Sequence, residues 1–160
     1  MGEMNEFSLV VRAFLMAYPW KRIDPVPWSP LTKPLADSRL ALVSSAGLVC
    51  ADHAGFDDTI KGGDVSFREI PRDTDVASLI ETHRSDSFDH SGVNTDPNLA
   101  FPLDRVRELK ERGRVGDVNH RHLSFMGSIT APGRLVRDSA PAMAALLKQD
   151  AVDVALLVPV

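Results

Sequence analysis

Two short runs constrain this chain more than anything else in it: Arg39-Leu40-Ala41-Leu42-Val43-Ser44-Ser45, and far downstream Val152-Asp153-Val154-Ala155-Leu156-Leu157-Val158. Near-continuous apolar character over roughly four to eight residues is what a strand needs when both of its faces are covered. Strands of that kind belong to parallel sheets, which need a long crossover, usually a helix, between partners. The intervening sequence has the material for such crossovers. Val65–Ile70 alternates and predicts a second strand, stopped by Pro71. Asp73 or Thr74 can cap a helix whose apolar positions Val76, Leu79, Ile80 and His83 follow the i, i+3, i+4, i+7 spacing, so His83 ends a buried stripe. Pro102 opens another helix, with Leu103, Val106 and Leu109 on one face, Glu108 and Arg112 spaced to pair, and Gly113 as its stop. Residues 121–129 predict a strand with Phe125-Met126-Gly127 near its end, and Asp138 or Ser139 caps a last helix that carries Pro141 in its first turn.

Strands alternating with helices predict an α/β fold: a layered, mainly parallel sheet with helices on both faces, Rossmann-like or flavodoxin-like, and incomplete at the C-terminus. Ligands of such sheets bind outside the carboxyl ends of the strands, where loops 46–58 and 85–98 would meet. The second of these, Ser85–Asn98, is polar, rich in turn formers and long, which suits a functional loop. Ahead of the sheet, residues 1–36 read as a separate element. Ser8 caps a short helix that ends at Tyr18-Pro19, and Pro19, Pro25, Pro27, Pro30 and Pro34 with Trp20 and Trp28 make an extended arm that tethers to the 37–160 domain.

At 160 residues, 44% apolar and 25% charged, the chain is long enough for one core. A net charge of -4 gives no electrostatic support for binding nucleic acid or an acidic membrane, and favours a small ligand. The apolar run Phe7–Tyr18 is interrupted by Arg12, too short to span a bilayer, and without the flanks of a signal peptide. Cys50 is the only cysteine, so an intrachain disulfide and any CxxC site are excluded within these residues, and a cytoplasmic location is expected.

Several segments, in order and at consistent spacing, resemble the selenoprotein B family of glycine, betaine, sarcosine and D-proline reductases, the D-proline reductase type in particular. Pro27-Trp28-Ser29-Pro30-Leu31-Thr32-Lys33-Pro34-Leu35, running into Ser38–Gly47, is similar to the family's Trp-x-Pro-x-x-Lys-Pro-Leu arm and first strand. Gly63-Asp64-Val65-Ser66-Phe67-Arg68-Glu69-Ile70-Pro71 is similar to its Gly-Asp-x-Ser-aromatic-Arg-x-Ile-Pro segment. His83, Phe88-Asp89, Asp96-x-Asn98, Phe101-Pro102-x-Asp104-Arg105 and Phe125-Met126-Gly127 resemble its central block. The resemblance implies a reductase subunit that cleaves a C–N bond of an amino acid or related amine. A pyruvoyl group on a partner subunit would hold the substrate, a selenolate or thiolate would attack the α-carbon, and a neighbouring thiol would release the selenium as a selenenylsulfide.

In the family the last strand ends in Pro-Val immediately before a selenocysteine or cysteine. The expected catalytic residue therefore lies directly after Val160 and none lies within the chain, as when a UGA codon is read as a stop. A strand left without its covering helix exposes apolar surface, so self-association is expected. Within the chain, His83, Asp89, Asp96 and Asn98 are the candidates for substrate binding or proton handling. Each also has a plainer reading: His83 as a half-buried stripe residue, the others as turn and cap residues bonded to their own backbone. Asp104 reads as a dipole-stabilising residue in a first helical turn.

Two other functions compete: a ligand-binding or scaffold domain that has lost the nucleophile, and a metal-dependent hydrolase. His120 and His122 would share a strand face, and Asp52-His53, Asp57-Asp58 and Asp89-His90 add further donors, but no third and fourth ligands are evident, so no metal ligand is assigned. Cys50 reads as packing in preference to a nucleophile.

Overall fold

The computed structural model describes residues 7–18, 22–86, 88 and 90–160. It divides into two compact units, Met1–Pro30 and Leu31–Val160. In the first, Ser8 Oγ accepts the N–H of Val11 and starts α1 (Leu9–Ala17), which Tyr18 leaves in extended conformation. No helix among the described residues is long and apolar enough to cross a membrane.

The second unit is an α/β sheet built around β1 (Arg39–Ser44). On one side β1 runs parallel to β5 (Asp117–Val118) at Arg39 and Leu40, and to β6 (Arg121–Phe125) at Val43 and Ser44. On its other side it runs parallel to β7 (Val154–Val158) along Leu40–Ser44. β3 (Phe67–Pro71) closes the β6 edge antiparallel. The sheet is thus mainly parallel, as the apolar runs required.

Alternate residues of β1 feed two cores, because successive strand side chains point to opposite faces. Leu40 and Leu42 pack with Leu103 and Val106 of α3 (Leu103–Glu111), while Val43 packs with Leu123 and with Met143 of α4 (Ala140–Gln149). Helices therefore cover both faces. α3 begins after Pro102, and Gly113 follows its end at φ 65°, a left-handed conformation that costs glycine nothing.

Between β5 and β6 the ladder to β1 is interrupted, and a side chain fills the gap. His122 is fully buried and its Nδ1 accepts the backbone N–H of Leu42 at 3.0 Å, so an imidazole replaces the missing carbonyl. Burial, then the charges of Arg107 and Arg72, push its pKa down to about 4.

Four expectations are corrected. The helix over 73–83 is absent: Val76–Ser78 make one 3-10 turn and Ile80–Glu81 form β4, antiparallel to β2 (Leu48–Val49). Asp75 accepts the N–H of Ala77 and Ser78 Oγ donates to Asp75 O, local bonds that compete with helix, and the edge of β2 then takes Ile80 and Glu81. The 85–98 segment holds α2 (His90–Thr95), anchored by buried Val93, and a 3-10 turn at Pro97–Leu99. The last helix is continuous with a π-turn at Leu135–Ser139, so neither Asp138 nor Ser139 caps it, and Asp138 pairs instead with Arg137. Finally, β7 is not covered on both faces: Val154 and Val158 reach the core, while Leu156 and Leu157 are exposed.

Candidate functional site

The carboxyl ends of β1, β6 and β7 meet at Ser45. Its N–H donates to Val158 O at 3.1 Å, its Oγ accepts the N–H of Val160 at 3.0 Å, and its carbonyl accepts the N–H of Gly127 at 2.7 Å. Ser44, one residue earlier, is buried and donates through Oγ to Ala100 O at 2.7 Å. Three strand ends are thus fixed against one another by short, mostly backbone bonds. Beside them Val43, Ser45, Phe125, Leu157, Val158 and Pro159 line an open recess of about 200 Å³.

Gly47 turns the chain away from this rim with φ 68°, and a Cβ there would lie 3.2 Å from the backbone N of His83. β2 follows, and its partner β4 returns to the same turn, where Thr82 donates both N–H and Oγ1 to Gly47 O. The pairing delivers Glu81 and His83 to the rim.

His83 is buried, with its ring 4.6 Å from that of Phe88. Its backbone N–H donates to the Glu81 carboxylate, and its Nδ1 accepts the N–H of Ser85 at 3.2 Å. Since Nδ1 accepts, the neutral ring carries its proton on Nε2, a buried atom with no hydrogen-bond partner among the described residues. Desolvation lowers the pKa of His83, which keeps the ring neutral. His90 has the opposite setting. Its Nδ1 lies 2.6 Å from Glu81 Oε2 and its Nε2 3.0 Å from Ser85 O, so both nitrogens face acceptors and the Glu81 carboxylate raises its pKa. One carboxylate therefore serves a neutral imidazole through the backbone and a protonation-prone imidazole through its side chain.

The family profile described as glycine/sarcosine/betaine reductase selenoprotein B matches residues 8–159. The chain belongs to that selenoprotein B family. It is 35% identical to the D-proline reductase subunit gamma of Acetoanaerobium sticklandii over 137 residues, which are 84% of this chain and 54% of that subunit. It is 30% identical to the sarcosine reductase complex component B subunit beta of Peptoclostridium acidaminophilum, over 75% of this chain and 28% of the relative. With the glycine reductase complex component B subunit gamma of Symbiobacterium thermophilum it shares 29% identity, over 97% of this chain and 36% of the relative. The chain thus spans about half the length of the first of these relatives, and less of the others. No solved structure gives a significant match.

Within this selenoprotein B frame the four residues read from the sequence have different surroundings. His83 lies at the rim. Asp89 lies outside the described residues. Asp96 accepts the N–H of Asn98 at 3.0 Å and caps the Pro97–Leu99 turn. Asn98 binds Asp104 twice, through Nδ2 to Oδ2 at 2.9 Å and through Oδ1 to the backbone N–H at 3.2 Å, and Asp104 in turn holds Arg107. That network fixes the start of α3.

His120 and His122 do not converge on a common ligand position: His120 is largely exposed near Asp150, while His122 Nδ1 is occupied by Leu42. A cavity of about 450 Å³ is at the opposite end of β1, where Lys33–Asp153 and Arg39–Asp117 already pair their charges. Sequence reasoning missed Glu81, His90 and Ser45. A helix assigned over 73–83 puts Glu81 on the solvent side, whereas the alternation Ile80-Glu81-Thr82-His83 was the available sign of a strand.

Proposed function

We propose that this chain is a subunit of a cytoplasmic reductase complex that cleaves a C–N bond of an amino acid or related amine, with a pyruvoyl-bearing partner subunit. The observation that carries the reading is the position of Val160: the residue that precedes the nucleophile in the family's pattern is bonded through its N–H to Ser45 at the carboxyl rim of the sheet, as Val158 is through its carbonyl. A selenocysteine or cysteine after Val160 would leave the sheet where the strand ends meet at Ser45. A position leading from a strand end into a helix N-terminus lowers the pKa of such a group and keeps it anionic and nucleophilic at neutral pH.

A pyruvoyl group on the partner subunit would supply an electron-withdrawing partner for the substrate nitrogen and so make that nitrogen a leaving group. The selenolate or thiolate expected after Val160 would form a bond to the α-carbon as the C–N bond breaks, and the nitrogen would leave with the electron pair and take a proton. A neighbouring thiolate then attacks the selenium or sulfur. The carbon departs with the electron pair and a proton, and a selenenylsulfide or disulfide remains, so the two reducing electrons come from the thiol and selenol. Opening of the rim around the buried Nε2–H of His83, which has no partner among the described residues, would let it donate to a substrate acceptor such as a carboxylate, and the Glu81–His90 pair can hold the proton that leaves with nitrogen.

The test is made on the full gene product. Reading the codons after Val160 should give UGA or a cysteine codon followed by a Pro-x-Cys frame, and the full protein should co-purify with a pyruvoyl-bearing subunit and consume dithiol only with a substrate amine present. A sense codon for another residue at that position, or a full protein that binds amines without dithiol oxidation, would favour a ligand-binding scaffold instead.

A further inference from the structure

The loop that leaves the rim through Gly47 and β2 folds back on itself at Cys50-Ala51-Asp52-His53, where the N–H of His53 donates to Cys50 O at 3.0 Å. This turn places the first and fourth side chains together. A ligand atom from each of Cys50, Asp52 and His53 lies within 4.8 Å of the other two. In a tetrahedral site with metal–ligand bonds of about 2.0–2.3 Å, donor atoms stand about 3.5 Å apart, so closure on an ion needs side-chain shifts of about an ångström.

The turn is clamped at both ends: Val49 before it and Phe56 after it are buried against Met126, and Cys50 Sγ rests 4.0 Å from Thr74 Oγ1. Within it, Nδ1 of His53 is inaccessible to solvent and has no hydrogen-bond partner among the described residues. An imidazole nitrogen withdrawn from water without a partner is costly unless something occupies it. Asp52 is exposed and leaves one side of the cluster open.

We propose that Cys50, Asp52 and His53 bind a zinc-like divalent cation with a thiolate, a carboxylate and an imidazole, with a fourth position open to water or a small ligand. Mixed sulfur, nitrogen and oxygen donors select a borderline ion such as Zn²⁺ over Mg²⁺ or Ca²⁺. On binding, the metal–sulfur bond replaces the S–H bond of Cys50, and that proton passes to solvent. The ion would lock the 46–58 loop beside the rim. The assignment is independent of the reductase reading, since it uses none of the rim residues.

The test is a Co²⁺ titration of the reduced, metal-stripped full-length protein, followed by displacement with Zn²⁺. The expected result is one equivalent of Co²⁺ with a thiolate-to-cobalt charge-transfer band in the near ultraviolet, and release of a proton as the ion binds. Cys50→Ser should abolish the band, and His53→Gln should weaken binding by at least the order of ten-fold that changes even around metal ligands cause. His120→Gln should leave both unchanged. Far-ultraviolet circular dichroism separates a folding defect, and His53→Gln, in a surface turn, is the variant that decides if Cys50→Ser misfolds. No charge-transfer band in the wild type, or equal Co²⁺ binding by His53→Gln, would overturn the assignment.

Discussion

Acid should loosen the centre of this sheet, and the residue responsible is His122. Its Nδ1 accepts the N–H of Leu42 in the interval between β5 and β6, and the ring has no exposure to water. In the folded protein its pKa is about 4 against 6.5 for an ordinary histidine. A folded pKa below the unfolded one means that the unfolded chain takes up the proton first as pH falls. Stability from this residue is then complete above pH 6.5 and lost as pH falls toward 4.

Between pH 7.5 and pH 5 the loss amounts to about 2 kcal/mol from this residue alone. His90, whose pKa is raised, acts in the opposite direction, so the comparison must be made against a variant. His122→Asn can place Oδ1 where Nδ1 accepts, without a titrating group. Urea unfolding at the two pH values should show a difference about 2 kcal/mol smaller in His122→Asn than in the wild type. Equal pH dependence in both proteins would refute the role given to His122.

Other expectations follow from single contacts. Gly47→Ala, at φ 68° and with its Cβ 3.2 Å from His83 N, should destabilise the protein by about 1–2 kcal/mol in urea unfolding. Asp150→Asn removes a carboxylate that takes two 2.6 Å bonds from Arg121 and one of 2.9 Å from Asn119, and should cost about 1–3 kcal/mol in the same assay. In an NMR titration His90 should ionise above the usual histidine range, and Glu81→Gln should bring its pKa down, because the Glu81 carboxylate is the main cause of the shift. Ser45→Ala should raise hydrogen exchange at the Val160 amide, whose acceptor it removes.

The parallel core was legible because β1 and α3 carry their structure in local pattern: a continuous apolar run in one, Pro102 and Gly113 bracketing Leu103 and Val106 in the other. The segment 73–83 was not, because a 3-10 turn followed by the two-residue strand β4 buries Val76, Leu79 and His83 at the same spacing as a helix. The exposed Ile80 was the discordant position. The candidate site was legible at His83 but not at Glu81 or His90, whose association depends on β2 pairing with β4, a contact between distant residues. The His122–Leu42 bond was beyond local pattern for the same reason: it depends on an interruption between β5 and β6 that leaves one N–H of β1 without a carbonyl.

On the function proposed above, the rim at Ser45 and the end of β7 would present the nucleophile of a C–N-cleaving reductase. Alkylation with iodoacetamide in the full-length protein, read by peptide mass spectrometry, tests it directly. The residue after Val160 should react faster than Cys50, whose thiol pKa is raised by burial, and its modification should abolish amine-dependent dithiol oxidation in step with labelling. Full turnover after that residue is quantitatively alkylated would contradict it.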